Sequence, residues 1–191
     1  MRVRKSCVKR NRIAIILLVA VGLLVLAAGH HYWKKRSLSD RVIPEIFGRK
    51  DVFDAFVSGS NVTAQRLHWR PEKLTNSPGG LSIYEHEKSV LVAPALAQKV
   101  QDLLQRASSY DWGPYAKGCI VDYGVLLTFH SGKRTVRAAL CFNCNWLGIF
   151  EGEDKSSNAV NREDDFDPIR RQLVSVVKAI FPDDAKIQDL K

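Results

Sequence analysis

Residues 123–140 read YGVLLTFHSGKRTVRAAL, two runs rich in β-branched and aromatic residues on either side of Ser131-Gly132. A two-residue link of this kind between such runs is a hairpin signal. It pairs His130 with Lys133, Thr128 with Thr135 and Leu126 with Arg137. Side chains alternate along a strand, so Tyr123, Val125, Leu127 and Phe129 share one face with Val136, Ala138 and Leu140. The other face carries Gly124, Leu126, Thr128 and His130 with Lys133, Thr135, Arg137 and Ala139. One apolar side and one mostly polar side predict an antiparallel sheet buried on a single face.

Helical periodicity flanks this hairpin. After Pro94, the residues Leu96, Val100, Leu103, Leu104 and Ala107 recur at helix spacing. Asp167 as N-cap and Pro168 at the first helical position open a second helix bearing Ile169, Leu173, Val176, Val177 and Ile180. It must stop at Phe181, because Pro182 has no N–H to give. Val52, Phe53 and Phe56 predict a shorter helix over Asp51–Val57. Arg66–Trp69, Leu81–Glu85 and Ser89–Val92 read as further strands, and Trp146–Phe150 as a continuation of the second hairpin strand. The expectation is an α+β domain: an antiparallel sheet, its hairpin at about 122–150, with helices packed on one face.

The N-terminus has a different character. The first 36 residues hold nine of the chain's 29 basic side chains and none of its 20 acidic ones. The formal charge of +9 therefore belongs to that segment, and the remainder is balanced. This removes the usual reason to expect a nucleic-acid partner. Ile13 to Gly29 is uncharged and apolar, with Ile13, Leu17, Val21, Leu24 and Leu26 on every side of a helix about 26 Å long. His30-His31-Tyr32-Trp33 and the cations after it suit a membrane interface. The expected organisation is a basic cytoplasmic tail at 1–12, a transmembrane helix at 13–29, a linker at 30–44 and an extracytoplasmic domain at 45–191. A cleaved signal peptide ending at Ala27-Ala28-Gly29 is the rival reading. Either delivers the domain to the same side, a disulfide-permitting compartment, and the retained anchor puts the protein at a membrane with the lipid bilayer as its partner.

Three of the cysteines fall in that domain. Extending the hairpin register sets Cys119 opposite Cys144, both on the apolar face, at the Cβ separation of directly opposed residues. A disulfide there closes a loop of about 26 residues, worth about 3.5 kcal/mol on the chain-entropy model. Cys119–Cys141 is the second choice; in the first, Cys141 is a leftover thiol. Cys141-Phe142-Asn143-Cys144 also has redox-motif spacing, but a redox pair wants a helix N-terminus behind it, and Trp146–Phe150 reads as strand. A zinc site on Cys119, Cys141 and Cys144 needs a fourth ligand, for which His130 lies too far along the hairpin.

The remaining candidates are weaker. Glu85-His86-Glu87 reads as a solvated strand end. The acidic stretch from Glu151 to Asp167 lacks the spacing of a calcium loop. The aromatic segment around Trp112 is a packed loop or a ligand surface. There is no nucleophilic triad in a familiar order, no phosphate loop and no spaced carboxylate pair.

Cys119, the hairpin, Leu140-Cys141-Phe142-Asn143-Cys144, Glu163-Asp164-Asp165-Phe166-Asp167-Pro168 and Ile180-Phe181-Pro182 together resemble a pattern in uncharacterised bacterial exported or membrane-tethered proteins. The resemblance covers roughly residues 90–182. It implies a bacterial source and three cysteines that recur together, and it carries no activity or cofactor. The expected function is a single-pass, membrane-anchored extracytoplasmic protein of non-catalytic binding or structural type, without a cofactor. The alternative is a thiol-redox or zinc protein using Cys119, Cys141 and Cys144. A cleft gathering His68, His86 and carboxylates would instead point to a hydrolase.

Overall fold

Seven strands build one antiparallel sheet in a computed structural model that describes residues 19, 21–24, 40–73, 80–113, 117–153, 159–160 and 164–191. The strands are β1 (Ser60–Trp69), β2 (Tyr84–His86), β3 (Val90–Leu91), β4 (Val125–Ser131), β5 (Arg134–Cys141), β6 (Trp146–Glu151) and β7 (Asp164–Asp165). Their order is β2-β1-β4-β5-β6-β7, with β3 pairing beside β2 on the outer side of β1. Four helices accompany them: α1 (Lys50–Ser58), α2 (Pro94–Leu104), α3 (Arg170–Ile180) and α4 (Ala185–Gln188). A π-helical turn, Val42–Phe47, precedes α1. All of these elements lie in the unit spanning Asp40–Lys191.

The main core forms between the helices and one sheet face. Val125, Leu127, Phe129, Val136, Ala138 and Leu140 meet Val52 and Phe56 of α1, Val100 and Leu104 of α2, and Leu173 and Val177 of α3. Phe56 sits between Phe47 and Phe129, with ring centres 4.9 and 4.6 Å apart. The Phe56–Phe129 contact is edge-on and the Phe47–Phe56 contact tilted, and such ring pairs add to the burial of large side chains. The helices run close to their expected bounds, because an apolar stripe at helix spacing leaves few alternatives. The segment Asp167–Ile169 is a 3-10 turn ahead of α3 rather than its first α turn.

The hairpin differs from expectation by two residues in register. Ser131 pairs with Arg134 and His130 with Thr135, so the turn is Gly132-Lys133. Gly132 holds the first central position at φ 59°, a left-handed value that glycine adopts without a Cβ clash. A shift of two keeps side-chain parity, so both face assignments survive it.

Two further expectations are corrected. Trp146–Phe150 does not continue β5. The chain reverses through Phe142–Asn145, with Asn145 at φ 58°, and β6 returns antiparallel with Cys141 opposite Trp146. The second sheet face is also not simply solvated. Leu67, Leu81, Tyr84, Tyr123, Leu126, Ala139, Cys141, Cys144 and Phe150 form a smaller core there. Gly148 admits it: a Cβ at that position would lie 2.8 Å from Cζ of Tyr123, whose ring covers the glycine.

The transmembrane helix is overturned as well. Among the described residues no helix is long and apolar enough to cross a membrane. Val21 and Leu24 lie on the described helical stretch 21–24, whereas Ile13, Leu17 and Leu26 fall outside the described residues. Membrane localisation and a single-pass anchor are therefore not supported. An unbroken apolar run in sequence is necessary for a span, but only a continuous helix of sufficient length makes one.

Candidate functional site

A disulfide joins Cys119 to Cys144, with the two Cα atoms 6.1 Å apart. Cys119 lies in the extended segment before β4 and Cys144 in the β5–β6 turn. The geometry that pairs them differs from the sequence argument, which placed Cys144 on a continuous strand. The turn is what brings it to Cys119. Cys141 is a buried free thiol in the same apolar cluster. Among the described residues no group of three or more His, Cys, Asp or Glu could hold a metal ion, and the two bridged sulfurs are not thiolates.

The same turn is fixed from several directions. Arg170 Nη1 donates to Phe142 O at 2.9 Å and to Asn145 Oδ1 at 2.6 Å. Lys117 Nζ donates to Cys144 O at 3.1 Å and pairs with Asp167 at 2.7 Å. Burial alone would raise the Asp167 carboxyl, but hydrogen bonds from Lys117 and Asn145 outweigh it and hold the pKa below the ordinary aspartate value. A turn held this firmly makes a rigid wall.

That wall borders the first of two recesses that meet at Arg66 and His68. Arg66 and His68, on β1, stand between two cavities of about 470 and 540 Å³, both also lined by Lys186 of α4. Phe142 and Asn143 of the turn, Trp69 and Asp122 complete the first. Glu87, Val90 and the Ile180–Ala185 connection border the second. Volumes of this size match clefts that take small molecules.

Arg66 organises the junction. It shares parity with Val62 and Ala64, so the strand carries it into the helix-side layer. There it pairs with Asp184 at 2.7 Å, with only 9% of its side chain exposed, and donates to Gly124 O. Gly124 leaves space for it: an added Cβ would sit 3.2 Å from Arg66 Nη1. Asp184 also caps α4, accepting from Ile187 N at 3.0 Å. Burial would raise its carboxyl, yet the Ile187 amide and Arg66 outweigh it, so its pKa lies below the ordinary value. His68 Nε2 meets Glu87 Oε1.

Asp122 and Lys186 are uncommitted by comparison. Burial pushes the Asp122 carboxyl above its ordinary pKa, against the pull of the Arg66 and His68 charges. Among the described residues neither Asp122 nor Lys186 has a side-chain hydrogen bond or ion pair. A carboxylate and an ammonium thus line one cavity without being spent on each other.

The residues singled out from sequence are dispersed. His68 enters the groove, but His86 bonds Leu81 O at 3.1 Å and lines a separate recess with His130. The Trp112 ring packs 4.4 Å beneath the Arg41 guanidinium and donates to Ala107 O, so it is a packed loop. Asp165 and Asp167 pair with Lys117; residues 154–158 and 161–163 of the acidic stretch lie outside the described residues. Arg66, Asp122, Asp184 and Lys186 were missed. The one signal was Arg66 itself, a charge interrupting the apolar alternation of Val62 and Ala64.

Comparison with family models, curated proteins and solved structures finds no match to this chain. No family is therefore assigned on the resemblance of residues 90–182.

Proposed function

We propose that residues 40–191 form a non-catalytic binding domain whose ligand occupies the groove astride Arg66 and His68. The observation that carries this reading is the pair of uncommitted opposite charges, Asp122 and Lys186, on one cavity of about 470 Å³. Its apolar contribution comes from Trp69, Phe142 and Leu190. A small zwitterion with an apolar body, such as an amino acid or dipeptide, matches that chemistry: its carboxylate faces Lys186 and its ammonium faces Asp122. The rigid, disulfide-held turn reduces the ordering cost of binding. Among the described residues lining either cavity there is no Ser, Thr or Cys.

A panel of amino acids and dipeptides, screened by thermal shift on the full chain, tests this. A zwitterionic ligand should raise Tm in wild type but not in Lys186→Met or Asp122→Asn. Binding that both variants retain would refute it, as would a panel without any saturable ligand.

A second reading is thiol exchange, favoured by Cys141 lying in the same cluster as both bridged cysteines. Its thiolate would attack Sγ of Cys144, forming a Cys141–Cys144 bond and releasing the Cys119 thiolate. Peptide mapping after incubation under mild thiol buffer distinguishes the isomers. A sole Cys119–Cys144 product at equilibrium rejects it.

A further inference from the structure

A cavity of about 320 Å³ opens where the start of β1, the edge strand β3 and α2 meet, apart from the groove astride Arg66. Its apolar walls are Val62, Leu91, Val92, Pro94 and Ala97, and among the described residues lining it none is charged. Pro94, Ala97, Gln98 and Gln101 follow one another at helix spacing on a single face of α2. The cavity therefore runs about 10 Å along that helix. Ser60 and Asn61, both exposed, give it a polar rim.

Gln101 ends the row and is only 4% exposed. Its Nε2 donates to Phe56 O at 2.7 Å, Gly59 O at 2.9 Å and Val57 O at 3.2 Å. These carbonyls lie at and just beyond the C-terminus of α1, where intrahelical donors run out. Carbonyls only accept, so the NH2 must face them and Oε1 must face the other way. Among the described residues nothing donates to that oxygen. Gln98, one turn back, is already committed to Asp102 Oδ1 at 3.0 Å. With Nε2 spent on α1, Oε1 is what Gln101 has left to offer the cavity.

We propose that this cavity binds a small neutral molecule with an apolar body and one hydrogen-bond donor, an alcohol, phenol or indole, which donates to Gln101 Oε1. A mostly buried acceptor that lacks a donor costs free energy, and a ligand O–H or N–H recovers it. The uncharged lining returns nothing to an ionised group leaving water, so a carboxylate or an ammonium is disfavoured. The length of the row suits a body of two fused rings lying along α2 against Val62, Val92 and Ala97. Leu91 is 76% exposed on β3, and a ligand that covers it adds apolar burial.

The test is an NMR titration of the full chain with 2-naphthol and with indole. Each is run beside an isostere without the donor, 2-fluoronaphthalene and benzothiophene respectively. Saturable shifts of the Gln101 side-chain NH2 and of the Val62 and Ala97 amides are expected with at least one donor ligand. Its isostere should bind about tenfold more weakly, as loss of one hydrogen bond to a buried acceptor does. 2-Naphthoate, whose charge replaces the hydroxyl, should give no saturable shift at these positions. Ala97→Leu fills the cavity from α2 and should abolish binding. Linear titration by both donor ligands overturns the proposal. An isostere of equal affinity, saturation by 2-naphthoate, or binding that Ala97→Leu leaves intact does the same. Should Ala97→Leu fail to fold, the comparison of donor with isostere on wild type decides.

Discussion

Replacing both bridged cysteines, Cys119→Ala with Cys144→Ala, tests stability and site architecture together. The cysteines are separated by 25 positions. On the chain-entropy model a loop of that length restricts the unfolded chain by about 3.5 kcal/mol at 25 °C. For the 152 residues of Asp40–Lys191, about 2.1 cal/mol/K per residue gives an unfolding entropy near 0.3 kcal/mol/K. The double variant should therefore melt about 10 °C below wild type. Alanine is preferred over serine because Cys144 is 2% exposed and a hydroxyl there would need a partner. Calorimetry with and without reductant is the assay: reductant should lower wild-type Tm towards that of the variant and leave the variant unmoved. The bridge also joins the segment leading to Asp122 with the turn bearing Phe142 and Asn143, so any groove ligand should weaken in the same variant. A variant melting within about 2 °C of wild type would refute the loop-entropy reasoning, because the tether would then add little to restraints already supplied by Lys117 and Arg170.

Three further outcomes follow from the groove and the thiol. Arg66→Met leaves the half-buried Asp184 without its charge partner and should cost about 1–3 kcal/mol at neutral pH by chemical denaturation. Because the Asp184 pKa is depressed in the folded state, its contribution is present above the ordinary aspartate value and is lost as pH falls through the folded one. The variant and wild type should accordingly converge in acid; a pH-independent gap would assign the loss to packing. Asp122→Asn should raise Tm at pH 7, since a carboxyl with a raised folded pKa destabilises the fold once it ionises. That gain should vanish below the ordinary aspartate pKa of about 3.9, where both states are protonated; a gain that persists there contradicts the assignment. Cys141, fully buried, should react with a thiol reagent only on unfolding, so labelling that outpaces hydrogen exchange of β5 would show a local opening instead.

Short-range physics made much of the domain legible. Leu96, Val100, Leu103 and Leu104 place α2 because only a helix brings that spacing to one side. Pro182 ends α3 for want of an N–H. Val125, Leu127 and Phe129 share the main core with Val136, Ala138 and Leu140 even though the register is displaced, because an error of two preserves strand parity. The reversal at Phe142–Asn145 was not legible: a strand read from composition does not announce where it turns back without Gly or Pro. For the apolar N-terminal run, no helix among the described residues is long and apolar enough to cross a membrane.

Sequence by itself determined the periodic elements, their buried faces and the neutrality of residues 37–191, all properties of neighbours within a few positions. Tertiary structure alone decided the groove and the cavity at Gln101. Arg66 meets Asp184 across 118 positions, and Gln101 reaches the Phe56 carbonyl across 45. Polar groups that distant enter no local pattern. They meet because burial of the two apolar clusters fixes strand order and the path of the C-terminal helix, and that packing sets which polar side chains face one another.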